Sequence, residues 1–331
     1  MKKILRSSEF FVALVVMVLC IIIGLINPVF FSWENLFDLL RSGVVTGILA
    51  LGCLIVIVSG GTDVSFATIA IFAAYLASKI LIAWQFDGTV LVAFLLSAAI
   101  GTVLGLFNGA LIAWFRLPTM IVTLGTSSIF RGAMLVFIGT FIINKLPQGI
   151  LAFGQATLAQ VSNANGAVIG LPVSVVIFFG AAVLVWLMMK YTMLGRGIYA
   201  LGGDRVAAER AGLNVIGIQL FIYGLVGFLA GISGVVHASL VRNVNPFDLI
   251  GTEMNVIAAV VLGGARITGG RGTVFGTILG VMLVVIMNNS LILLGIPSYW
   301  QRAAIGVLIL LGTGITAWQS KRESAANLLE S

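Results

Sequence analysis

Long apolar runs separated by short polar breaks set the pattern of this chain, and within the runs the apolar residues are continuous rather than alternating. Runs of about 20 apolar residues can cross a bilayer as helix, and the period-two alternation of barrel strands is absent. Hydrocarbon cannot satisfy backbone N–H and C=O groups, so each run is expected as a helix. Read in order, spans fall at about 9–29, 44–58, 64–83, 89–115, 119–143, 171–189, 215–240, 254–265, 272–295 and 300–318. SWENLFDLLRSG (32–43) is amphipathic and is expected at the interface or re-entering the membrane. Residues 144–170 are mixed in polarity and read as an extramembrane loop with a short helix. The run at 254–265 looks short, so eight or nine spans with a re-entrant segment remain open.

The fold expected is all-α membrane: one polytopic bundle of about ten transmembrane helices over residues 1–331. Ten spans put both termini on one side, and the positive-inside rule chooses which. With the N-terminus inside, twelve of the 18 basic residues fall inside. Both termini and the island 190–213 are then cytoplasmic, and 144–170 is outside. The basic N-terminus followed by Phe10–Ile26 imitates a signal peptide, but no small-x-small cleavage site follows, so it reads as an uncleaved first span. GTVLGLFNGALI (101–112) resembles GTVFGTILGVML (272–283), an offset of five spans. An odd offset makes the two copies cross in opposite directions, as in an inverted five-helix repeat. Convergence of two close-packed helices on a small-xxx-small pattern is the alternative, but the match extends past the glycines to Thr and Val, which favours the repeat.

Composition sharpens this picture. The chain is 60% hydrophobic and 9% charged, with 40 glycines, as expected where helices pack closely in lipid. The net charge of +7 is scattered over short loops and sets topology rather than a nucleic-acid surface. Cys20 and Cys53 lie inside apolar runs and read as packing residues. The lone histidine, His237, excludes a His-based metal site and has a packing or interfacial role. No Lys follows a Gly, so the chain has no G-x-x-x-x-G-K-[ST] phosphate loop and cannot hold ATP in that way. No nucleophile–base pair can be argued, so no catalytic residue is assigned.

Three polar features carry candidate function. In SGGTDVS (59–65), Gly60 and Gly61 can unwind a helix, while Asp63 and Ser65 sit where a buried polar group either caps the next helix or lines a pathway. Arg131 falls within the fifth span, where it snorkels, faces a wet cavity or pairs with a carboxylate such as Asp63 or Glu253. In the island, Asp204 is a plausible N-cap for RVAAERA, Arg205 and Glu209 pair at i,i+4, and Gly212 ends the helix. Ala207, Ala208 and Ala211 make a smooth opposite face. So short a helix has little reason to persist alone in water. It is either a solvated connector or a docking knob for a partner.

At this point the residues carry a family. SGGTDVS, LPTMIVTLGTSSIFRG (117–132), ALGGDRVAAERAGLNV (200–215) and EMNVIAAVVLGGARITGGRGTVFGTILG (253–280) resemble, in order, four motifs of the permease subunits of bacterial ABC importers for ribose and related monosaccharides. The wider group includes branched-chain amino acid permeases. Thr62, Ala67, Asp204, Asn255 and Ser290 after Asn288-Asn289 depart from the family pattern and put the substrate, not the family, in doubt.

The resemblance implies a multi-pass protein of the bacterial inner membrane, with a second permease chain, identical or a paralogue, completing the pathway. A periplasmic binding protein would deliver the solute. Two cytoplasmic ATP-binding subunits would hold ATP and Mg, leaving no cofactor in this chain. Asp204, Arg205, Ala207, Ala208, Glu209, Arg210 and Gly212 would couple to those ATPases. A stand-alone, ion-coupled carrier is the alternative, and its titratable relay would have to be drawn from Asp63, Glu253, His237 and Arg131. The sugar itself is not legible.

Overall fold

The computed structural model describes residues 8–162 and 168–293, with 295, 300, 303, 306 and 307. The expected tenth span at 300–318 lies almost wholly outside the described residues. Within them, eight helices are long and apolar enough to cross a membrane. They are α1 (Ser8–Ile26), α2 (Trp33–Val58), α3 (Phe66–Ala83), α4 (Val90–Phe115), α5 (Thr119–Ala133, continued by a π-helical turn Met134–Ile138), α7 (Ser174–Tyr191), α10 (Val215–Val241) and α12 (Val274–Leu293). Between them lie α6 (Gln148–Gln155), α8 (Met193–Gly203), α9 (Arg205–Arg210) and α11 (Glu253–Leu262).

Three boundaries differ from the sequence reading. Residues 32–43 are not a separate interfacial element. Ser32 caps Trp33–Val58 by accepting from the Asn35 N–H, and the helix continues without a break into the apolar run. The amphipathic turns are the first turns of that same helix. The mixed segment 144–170 does hold a short helix, α6, and adds an antiparallel hairpin of β1 (Thr157–Ser162) and β2 (Val168–Pro172). Finally, the eighth span is too short. α11 has 10 residues, about 15 Å of rise, half the hydrocarbon thickness. The chain enters it through the irregular segment 242–252, tied to α10 by His237 Nε2 to Asp248 at 3.1 Å. It leaves through Gly263 and Gly264, so α11 is a half-helix.

The bundle has two recognisable ends. At the hairpin end lie α6, the hairpin and the start of α2. At the opposite, basic end lie α8, α9, Arg116 and segment 263–273. The spans are joined by close backbone approach, since lipid offers no hydrophobic drive between helices. α10 runs antiparallel to α4, with Gly227 and Gly231 set against Gly101, Gly105 and the Ser97 carbonyl; side chains there would overlap backbone. Ser97 Oγ donates to the Gly231 carbonyl at 2.8 Å across this seam. α12 meets α11 in the same manner, through Gly276 and Gly280 against Gly263 and Ala259. α2 and α10 are the most enclosed long spans after α3 is counted with them, and α1 is the least.

Candidate functional site

The basic end carries a built surface feature. Thr192 accepts from the Gly195 N–H at 3.1 Å and starts α8, so the island is mostly helix rather than loop. Lys190 lies 4.9 Å from the Trp186 ring centre and 5.2 Å from that of Tyr191. This cation–aromatic cluster is suited to a membrane interface. After Gly203 the chain turns, and Asp204 Oδ1 accepts from the N–H groups of Val206 at 2.8 Å and Ala207 at 3.0 Å. The predicted cap is therefore made. Gly212, at φ +81°, ends α9, with its N–H on the Glu209 carbonyl and that of Leu213 on the Ala208 carbonyl. Arg205 Nε is 3.4 Å from Glu209 Oε1, and Arg116 reaches the same carboxylate at 3.8 Å. Both pairs are solvent-facing and contribute tenths of a kcal/mol each.

One residue of the expected docking face is turned the other way. Ala208 is 4% exposed and faces the body of the protein. Ala207, Glu209 and Arg210 point outward, joined by Val206, an apolar side chain 55% exposed that the sequence reading passed over. The helical period makes the division: one residue per turn must seat α9, and the others are free.

Behind α9 the chain forms a junction of three glycine pairs. The Gly270 N–H donates to the Val58 carbonyl at 2.9 Å, so segment 263–273 is bonded to the end of α2. Gly202 packs against that same carbonyl so closely that a Cβ would overlap it. Gly60 turns at φ +84°, and a Cβ there would lie 3.5 Å from Gly202 Cα and 3.9 Å from the Thr268 oxygen. Tyr199 Oη donates to the Gly272 carbonyl at 2.7 Å and closes the cluster. Thus the helix before α9, the end of α2 and the break after α11 touch backbone to backbone. Each glycine pair is visible in the sequence; their convergence needs the tertiary fold.

The rest of 59–65 is built inward. The Thr62 N–H donates to Thr119 Oγ1 at 2.9 Å and that of Val64 to Thr123 Oγ1 at 3.3 Å. Asp63 Oδ1 accepts from both the N–H and hydroxyl of Ser65 at 2.6 Å, and Asn108 Nδ2 donates to Ser65 Oγ at 2.8 Å. Asp63, Ser65 and Asn108 are 1%, 0% and 0% exposed. Asp63 thus holds Ser65, the residue before α3, while Asp63 Oδ2 and Asn108 Oδ1 are buried without a partner among the described residues. Burial pushes the Asp63 carboxyl above the ordinary range, and the Ser65 hydrogen bonds pull part of the way back.

Arg131 and Glu253 are not brought together as an ion pair. Arg131 is exposed on α5, while Glu253 is buried at the start of α11 with its carboxylate on the N–H groups of Glu253 and Gly251. The Arg131 charge acts on the same carboxylate more weakly than those backbone donors, without a direct salt bridge. No cluster of three metal-ligating side chains occurs among the described residues.

Comparison with known proteins decides what kind of machine this is. The family described as the permease component of branched-chain amino acid transport systems matches residues 35–312. The chain belongs to that permease family. It is 33% identical to the ribose import permease protein RbsC of Haemophilus influenzae over 310 residues, 93% of this chain and 92% of the relative. It is 34% identical to RbsC of Bacillus subtilis over 296 residues, 89% and 88% of the two chains. The autoinducer 2 import system permease protein LsrC of Yersinia pseudotuberculosis is 32% identical over 313 residues, 94% and 85%. No solved structure matches it. This permease is a multi-pass inner-membrane protein and a transport component rather than an enzyme.

Proposed function

We propose that this permease forms the translocation pathway of an ATP-driven importer for a monosaccharide or a related small polar solute. Its relatives are named for ribose and autoinducer 2 import. A periplasmic binding protein would present the solute at the hairpin end, and a second permease chain would complete the pathway. The basic end would face the cytoplasm and meet ATP-binding subunits, which would hold ATP and Mg.

The observation that carries the reading is α9: a capped two-turn plug at the basic end, backed by the glycine junction. Closure of the ATPases on α9 would push on α8. The junction would pass that push to the end of α2 and to the break after α11 with little loss, because backbone touches backbone there. The opposite runs of α4 and α12, each carrying its glycine stripe against an antiparallel partner, support an inverted repeat, the arrangement that rocks between two states. An ion-coupled carrier would need a titratable relay, and Asp63 is instead bonded to Ser65 at the start of α3.

Arg205→Glu and Arg210→Glu test the docking role. Each variant should reach the membrane at the wild-type level and lose at least tenfold in the amount of ATPase subunit that co-purifies. Unchanged co-purification would remove α9 from the interface. Uptake into vesicles that ignores ATP and collapses with a proton uncoupler would overturn the importer reading.

A further inference from the structure

Three of the positions where the sequence departs from its family pattern or sits beside a departure, Asn255, Asn288 and Asn289, are far apart in the chain. The fold brings them to one cavity of about 180 Å³ between α2, α11 and α12. The polar lining is Ser42 and Thr46 from α2, Thr252 and Asn255 at the start of α11, and Asn288 and Asn289 from α12. Val284, Val285 and Ile292 supply apolar wall. We propose that this cavity is a binding station for one neutral sugar-sized solute on its way through the permease; the proposal rests on the importer reading above.

Four observations carry it. The first is convergence. Polar side chains from α2, the start of α11 and α12, far apart in the chain, line one space between these helices. Polar groups on membrane helices line cavities or face the bundle interior. The second is the half-helix. α11 begins inside the bundle, and an interrupted apolar segment is the strongest sequence-level pointer to a solute site in transporters. The third is unmet hydrogen-bond capacity. The carboxamide oxygens of Asn288 and Asn289 are screened from solvent and have no partner among the described residues. The fourth is size. At about 30 Å³ per water the cavity equals about six waters, the displacement of a small polyhydroxylated ring.

The chemistry names the solute class. Carboxamides and hydroxyls both donate and accept, as sugar hydroxyls do. Among the described residues, no titratable side chain lines the cavity. A sugar acid or phosphate would enter without a cation to receive it, and a zwitterionic amino acid would leave both its charges unpaired. The apolar wall suits the C–H face of a ring.

The test uses proteoliposomes holding the permease assembled with its ATP-binding subunits and supplied with its binding protein. The probes are radiolabelled D-ribose, D-xylose, D-galactose, D-glucuronate and L-leucine. Wild-type permease should take up at least one neutral sugar in an ATP-dependent manner and exclude glucuronate and leucine. Asn288→Leu and Asn289→Leu should each lower that initial rate at least tenfold while ATP hydrolysis by the assembled complex stays within twofold. A second measurement does not depend on how those variants fold. Thr46→Cys, in a Cys20→Ala, Cys53→Ala background, should react with a small neutral maleimide at least threefold more slowly in the presence of the transported sugar. Rates within twofold of wild type, together with labelling that the sugar leaves unchanged, overturn the station and leave the importer standing. Uptake of leucine or glucuronate in place of neutral sugar overturns the solute class. Absence of ATP-dependent uptake of all five probes by the wild type overturns the monosaccharide importer reading and the station with it.

Discussion

At 59–65 the polar side chains are folded into the protein; around Asn255, Asn288 and Asn289 they surround a space. Both regions interrupt apolar sequence, and both hold groups that lipid would reject. In the first, Asp63, Ser65 and Asn108 are fully enclosed and linked through Ser65, and Thr119 and Thr123 clamp the backbone. Both regions leave buried oxygens without a partner among the described residues, Asp63 Oδ2 and Asn108 Oδ1 in the first and those of Asn288 and Asn289 in the second, at about 1–3 kcal/mol for each group left unmet. What separates them is space: only in the second do polar side chains of three helices line a cavity, of about 180 Å³. The first break is thus mechanical, a joint at the end of α2, and the second is chemical. The two also differ in what a defect should do: damage to a joint slows every solute alike, whereas damage to a binding station changes which solute is preferred.

The largest effect is expected at the joint. Gly202→Val would place a side chain on the Val58 carbonyl and force apart α8, the end of α2 and segment 263–273. ATP-dependent uptake should fall at least a hundredfold for every transported solute, and the ATPase subunits should still co-purify because α9 is untouched. Near-normal uptake would mean the junction is only filler. Uptake lost together with co-purification would mean that it shapes α9 rather than transmitting from it.

A smaller and selective effect is expected at the station. Asn255→Ala removes a carboxamide from the cavity lining. A site that hydrogen-bonds its substrate discriminates strongly through each such contact. Uptake of the preferred sugar should drop about tenfold, and the ratio of rates among neutral sugars should shift, as measured by competition with unlabelled sugars. An equal drop for all sugars would move Asn255 from the chemical to the mechanical class.

The spans, the cap on α9 and the family were legible in the sequence because each rests on local pattern. A run of apolar residues, a Ser or Asp before a helix-prone stretch and a glycine after it are read within a few positions. The depth of Asp63 and the partner of Glu253 were not legible, since they depend on elements distant in the chain: α4 and α5 in the first case, the irregular entry to α11 in the second. The division of labour on α9 was half legible. The period says that one alanine must face inward, and only packing says that it is Ala208. The same holds for the station. Asn255 stood out as a departure and Asn288-Asn289 as the neighbours of another, Ser290, but their meeting depends on how α11 packs beside α12.

The sharpest way to separate the two regions is also the mildest substitution. Asp63→Asn keeps the oxygen that accepts from Ser65 and removes the charge. Burial raises the Asp63 carboxyl above its ordinary value of 3.8 in the folded protein. A raised folded value means that folding favours the protonated form. The contribution to stability is therefore full below the unfolded value and is lost as pH rises through the folded one. Asparagine has no such loss. In detergent, the variant should match the wild type near the acid limit and become the more thermostable of the two as pH rises above about 4. Uptake should stay within twofold. If Asp63 carried protons or touched solute, the same change would instead abolish transport with no gain in stability at alkaline pH. Because asparagine preserves shape, that outcome would reassign 59–65 from joint to pathway.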